Sequence, residues 1–246
     1  MSETLVLLHG FSGTRRAWDG VVARLDSERY RPLALDLPGH GEASAVAGPI
    51  TFDSCVDAVL AAAPERFTLC GYSLGGRVAL HLALAAPDRV SRLVLVSCSA
   101  GIEDDAERAA RRASDERLAA ELESIPFEQF IEKWRTQPLF ADDPADVGER
   151  AREDQRRNDP FALAKVMRGL GTGEMTPLWD RLGELRMPRT FVAGERDAKF
   201  RAIGERIVGL MPDADFVVIP GGHALALESP EELARAIDGS AADSAG

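Results

Sequence analysis

Three residues stand out for their chemistry: Ser73, Asp197 and His223. Ser73 lies in Gly71-Tyr72-Ser73-Leu74-Gly75-Gly76, which matches G-x-S-x-G. The residues before it, Phe67–Cys70, read as a strand, and those after it, Leu74–Ala86, read as a helix. A serine on that sharp strand-to-helix turn is strained, and the flanking glycines let strand and helix approach closely. The turn lifts the hydroxyl out of the sheet edge. It also sets the Leu74 N–H at a helix N-terminus, where the dipole favours negative charge.

A serine hydroxyl needs a base, and the chain offers four histidines. His9 follows the first strand and opens the loop His9-Gly10-Phe11-Ser12-Gly13, so it is expected to be structural. His40 lies in the turn Asp36-Leu37-Pro38-Gly39-His40-Gly41, and His81 lies two turns along the serine's helix. His223, in Gly221-Gly222-His223, follows the last strand at the carboxyl end of the sheet. It alone comes late enough for the order serine, acid, histidine. The acid should follow a strand between the two, and Phe191–Asp197 supplies one. Asp197 would fix the His223 tautomer and stabilise its cation. Glu195 is the rival carboxylate; with Asp213 and Asp215, it also reads as a solvated turn acid. Two backbone donors are expected for a developing oxyanion, the N–H groups of Leu74 and Phe11.

These groups can meet only on a suitable scaffold. Apolar runs at Leu5–Leu8, Pro32–Leu35, Phe67–Cys70, Val90–Ser97, Arg189–Ala193 and Phe216–Ile219 read as buried parallel strands. Helices are expected near Trp18–Asp26, Asp53–Ala63, Leu74–Ala86, Ala202–Met211 and Glu231–Asp238. Alternating strands and helices give a mostly parallel sheet with helices on both faces. From about Gly101 to Leu185 the alternation stops. Helical stretches there, at Asp104–Glu123, Phe127–Thr136, Pro144–Asn158 and Phe161–Leu170, read as an inserted helical cap. The expected division is a core of residues 1–100 and 186–246 with a cap of residues 101–185. The small, polar tail Gly239–Gly246 is expected to fray.

Composition bounds the partners. A net charge of −11 argues against non-specific binding to nucleic acid or to an acidic membrane surface, but leaves room for a locally basic site. No apolar run approaches membrane-spanning length, and Leu5-Val6-Leu7-Leu8 is too short for a signal peptide. Cys55, Cys70 and Cys98 show no metal-ligand spacing and read as reduced, structural thiols of a cytoplasmic protein.

The HG turn, the DLPGHG turn, GYSLGG, the GERD turn and GGH, in that order, resemble the α/β-hydrolase superfamily. A closer resemblance is to 2-succinyl-6-hydroxy-2,4-cyclohexadiene-1-carboxylate synthase of the menaquinone pathway. It rests on Leu8–Gly13, Gly71–Arg77, Trp134-Arg135-Thr136-Gln137-Pro138-Leu139-Phe140 and Gly194-Glu195-Arg196-Asp197-Ala198-Lys199-Phe200. The resemblance implies a lyase that eliminates pyruvate from a small polyanionic carboxylate, with no metal or organic cofactor. It places substrate-binding arginines at Arg77, Arg111 and Arg156, with Tyr72, Trp134 and Phe140 lining the site. Arg77 matches by its fixed spacing from Ser73. Arg111 and Arg156 compete with Arg108, Arg112 and Arg157, whose plain reading is a solvated helix face. A serine carboxylesterase or a carbon–carbon bond hydrolase would use the same three residues, so both remain alternatives.

Overall fold

The computed structural model describes residues 2–239. Six strands form one wholly parallel sheet: β1 (Glu3–Leu8), β2 (Tyr30–Leu35), β3 (Phe67–Tyr72), β4 (Val90–Val96), β5 (Arg189–Gly194) and β6 (Asp215–Ile219). Their order across the sheet is β2-β1-β3-β4-β5-β6. All six match the runs expected from sequence. The central strands read as unbroken apolar stretches because both of their faces are covered. Val6 and Leu8 point into one cluster, with Leu69, Leu93, Leu95 and Phe191. Leu5 and Leu7 point into the other, with Cys70, Val94, Val96 and Val192. This is the period-two alternation of a strand.

Helices α2 (Phe52–Ala62), α3 (Leu74–Ala85) and α8 (Ala198–Gly209) cover the first face. The short α1 (Asp19–Val22) and α9 (Leu225–Glu228), together with α10 (Pro230–Asp238), cover the second. Local chemistry sets the starts. Thr51 and Ser54 form a capping box on α2, and Asp197 accepts from the Phe200 N–H at the start of α8. The helix expected over Trp18–Asp26 is instead a 3-10 turn (Arg15–Trp18) followed by the single turn of α1. Asp26 stops it: its carboxylate accepts the N–H groups of Glu28 and Arg29, which competes with helix continuation.

Between β4 and β5 the chain carries α4 (Asp105–Ser124), α5 (Phe127–Arg135), α6 (Ala145–Gln155) and α7 (Pro160–Leu170), and no strand among the described residues. This insertion has a small core of its own, built from Ala119, Leu122, Phe130, Leu163, Ala164 and Met167. Val166 and Leu170 of α7 belong instead to the main core, which seats the insertion on the sheet. The expected fraying of the tail lies outside the described residues beyond Gly239. Among the described residues no helix is long and apolar enough to cross a membrane.

Candidate active site

Ser73 sits between β3 and α3 with φ 51° and ψ −108°, in the left-handed half of backbone space that side chains avoid. Close packing holds it there. Its N–H donates to the Val96 carbonyl at 2.9 Å, and the Gly75 N–H donates to the His9 carbonyl at 3.0 Å. A Cβ at position 75 would lie 2.2 Å from the Leu8 carbonyl oxygen, so only glycine fits. Gly10 is similarly tight, because a Cβ there would meet the Tyr72 ring at 2.8 Å.

Asp197 and His223 come to this turn from the ends of β5 and β6. The imidazole Nδ1–H donates to Asp197 Oδ2 at 2.7 Å. The other carboxylate oxygen, Oδ1, caps α8. Both side chains are almost fully buried, which restricts their rotation. With Nδ1 holding the proton, Nε2 faces the Ser73 Oγ at 3.4 Å. That contact is long, as such contacts often are without substrate. The three residues singled out from sequence therefore form one continuous polar line. Glu195, Asp213 and Asp215 lie off it.

The remaining histidines do other work. His9 is buried; its Nε2 accepts the Leu37 N–H, so Nδ1 carries the proton and donates to the Gly10 carbonyl. Burial lowers its pKa, and lowers that of His40 still further. His81 stacks on Phe52 and contacts the Arg77 carbonyl.

Ser73 and His223 open on a cavity of about 610 Å³ lined also by Phe11, Arg77, Cys98, Arg111, Trp134 and Lys199. Arg77 is buried in its wall and not at its mouth. It donates to the Leu170 carbonyl at 2.6 Å and lies over the Phe52 ring. Burial, followed by repulsion from Arg111, brings its pKa down to about 10, against the pull of Asp115. Arg111 is anchored through Nε by buried Asp115 at 2.7 Å. The hydrogen bond occupies Nε alone, and the guanidinium lines the same cavity as Arg77.

The other resemblance-implied residues divide. Trp134 lines the main cavity, whereas Tyr72 and Phe140 line a smaller pocket of about 70 Å³ behind it. Both of their rings still flank His223, with centroids at 5.2 and 6.1 Å. Arg156 differs from the expectation in its placement: it is not among the cavity-lining residues, and Glu128 and Glu149 hold its guanidinium at the surface. Among its competitors, Arg108 bonds the Ile102 carbonyl and Asp105, and Arg112 bonds the Gly173 carbonyl. Arg157 lies 3.9 Å from Asp154. None of the three lines the cavity.

Sequence reasoning missed a buried ion pair between Arg135 and Asp143 beside His223. Burial pushes the Asp143 carboxyl up while Arg135 and His223 pull it down. Arg135 lies in the Trp134–Phe140 stretch, but Asp142-Asp143 reads as a solvated pair, so its partner gave no signal. Arg196 and Lys199 also line the cavity. Arg196 is paired with Glu228, and Lys199 has no carboxylate partner among the described residues. The three cysteines are free and buried, and burial raises the Cys98 thiol to about 12.

Comparison with known proteins places the chain by family and fold. A model described as the alpha/beta hydrolase family matches residues 5–236. The 2-succinyl-6-hydroxy-2,4-cyclohexadiene-1-carboxylate synthase of Enterobacter sp. (strain 638) is 33% identical, over 95% of this chain and 89% of that protein. The protein of the same name from Salmonella agona (strain SL483) is 32% identical, over 93% of this chain and 90% of its own length. The solved structure of MenH from S. aureus superimposes with a TM-score of 0.89 at 33% identity, covering 96% of this chain and 92% of that one. The chain belongs to the alpha/beta hydrolase family and, within it, to the family of the 2-succinyl-6-hydroxy-2,4-cyclohexadiene-1-carboxylate synthases.

Proposed function

We propose that the protein is a carbon–oxygen lyase of menaquinone biosynthesis. Its substrate on this reading is 2-succinyl-5-enolpyruvyl-6-hydroxy-3-cyclohexene-1-carboxylate, from which it eliminates pyruvate. The observation that carries the reading is the polar line Asp197–His223–Ser73 opening on a cavity that Arg77 and Arg111 make cationic. Membership of the synthase family supports the choice of reaction.

In this reading Ser73 and His223 act as a general base. The hydroxyl passes its proton to Nε2, and the oxygen takes the hydrogen from the ring carbon that bears the succinyl group. The C–H electron pair becomes a new ring double bond, and the existing double bond moves one position along. The carbon–oxygen bond to the enolpyruvyl group then breaks. The enolate leaves with that electron pair and, once protonated, is pyruvate. Asp197 stabilises the imidazolium formed on the way. As the proton leaves, charge builds on the succinyl ketone oxygen. On this reading the N–H groups of Phe11 and Leu74 take it up. Leu74 opens α3, so its N–H has no acceptor within the helix.

Arg77 and Arg111 bind substrate carboxylates. Their forked donors match a carboxylate in a bidentate way, and burial strengthens the attraction. Trp134 walls the site, Tyr72 and Phe140 hold the His223 ring, and residues 101–185 act as a cap over the whole. Incubation with the enolpyruvyl substrate should release pyruvate and produce diene absorbance in equal amounts. Rapid turnover of neutral esters with no pyruvate would instead identify a serine hydrolase.

A further inference from the structure

The loop that carries Phe11 is gripped from outside the sheet. Ser12 has φ 58°, a left-handed conformation that a serine keeps only when its surroundings over-determine it. A turn from Gly10 to Gly13 closes around Phe11, with the Gly13 N–H donating to the Gly10 carbonyl at 3.2 Å. Three side chains at and just beyond the C-terminal end of α6 bind this loop. Asp154 accepts the Thr14 N–H at 2.8 Å on one oxygen and the Thr14 hydroxyl on the other. Gln155 Nε2 donates to the Ser12 hydroxyl at 2.8 Å. Asn158 Nδ2 donates to the Ser12 carbonyl at 2.8 Å, while its Oδ1 accepts the Gly41 N–H at 3.0 Å.

Asp154, Gln155, Asn158, Ser12 and Thr14 are all buried. Buried polar groups that find partners fix one geometry, and a group left without one is costly. These contacts join segments about 140 residues apart, from α6 of the insertion to the loop after β1. Asp154, Gln155 and Asn158 are not among the residues that line the main cavity.

We propose that Asp154, Gln155 and Asn158 are positioning residues that set the Phe11 N–H by clamping Ser12 and Thr14. The seating of the insertion thereby determines whether the oxyanion donor is in place. This rests on the reading of Phe11 as an oxyanion donor. The clamp holds a group needed most when charge develops, so its loss lowers kcat and leaves KM nearly unchanged. Displacing one donor is expected to cost about 10- to 100-fold in kcat.

The test uses the full chain with Gln155→Ala, Thr14→Val and Thr14→Ser, because Asp154→Ala leaves two buried donors without an acceptor at once and endangers the fold. Thr14 also caps the Arg15–Trp18 turn, so Tm is measured for every variant. Amide shifts of Phe11 and Leu74 are followed by nitrogen-15 NMR as the reaction product is added. Gln155→Ala and Thr14→Val should lose at least about tenfold in kcat with KM within about twofold. Thr14→Ser should restore the rate, having restored the hydroxyl. The Phe11 amide should respond to product in the unmodified protein and much less in the two damaged variants, while Leu74 responds in all. Unchanged kcat in folded variants, or a Phe11 response that survives in them, overturns the clamp alone. A Phe11 amide in the unmodified protein that ignores product removes the oxyanion reading, and the clamp with it.

Discussion

The cavity has a wall from the sheet and a wall from the insertion, and the two hold their arginines differently. Arg77, on the sheet side, is buried under α7 with one hydrogen bond to a carbonyl. Most arginines of the insertion are already neutralised at the surface: Arg156 by Glu128 and Glu149, Arg168 by Glu116 and Glu123, Arg152 by Glu132 and Glu149. Arg111 lies between these cases, half-exposed but tied to buried Asp115. An arginine with its own exposed acid gains little from that pair and has little left for a ligand. A desolvated arginine without a carboxylate partner is held at a cost that an incoming anion relieves.

Four substitutions order the two walls by effect. Ser73→Ala removes the reacting oxygen itself and should lower kcat by about 10⁴-fold or more, with Tm nearly unchanged. A loss below about tenfold would show that the hydroxyl is not the base. Arg77→Ala should lower kcat/KM for the anionic substrate by about 100-fold, far more than for a neutral ester. Equal losses on both substrates would deny Arg77 a carboxylate. Arg111→Ala should fall between, near tenfold. Arg156→Ala should stay within about twofold, and a larger loss would mean that the insertion moves Arg156 into the site.

The smallest effect concerns the floor of the sheet side. His9 and His40 have pKa values lowered below the ordinary 6.5 by burial. Above that value both folded and unfolded forms are neutral, so nothing is lost. As pH falls below about 6.5 the unfolded chain takes up protons that the folded chain refuses, so stability declines. Tm should therefore drop between pH 7 and pH 5. A flat or rising profile would show that these imidazoles are protonated in place.

The same contrast explains what could be read from the sequence. Strand runs, the turn at Ser73 and the late His223 are legible because a doubly covered sheet and a strained elbow admit few residue types. Arg77 came from the family resemblance, which fixes it four residues after Ser73. The insertion helices are rich in arginine and glutamate on faces that look alike, so register decides which cation turns inward, and Arg156 turns to Glu128 and Glu149. The α6 clamp gave no signal at all. Asp154, Gln155 and Asn158 look like the solvated end of a helix until the fold brings the loop after β1 against them.

The most direct test is a single-turnover measurement of pyruvate released from the enolpyruvyl substrate, with Ser73→Ala run alongside. The account predicts one pyruvate and one diene per active site from the native protein, with the variant slower by orders of magnitude. Pyruvate released equally fast by both, or none from either while esters are cleaved, would contradict it.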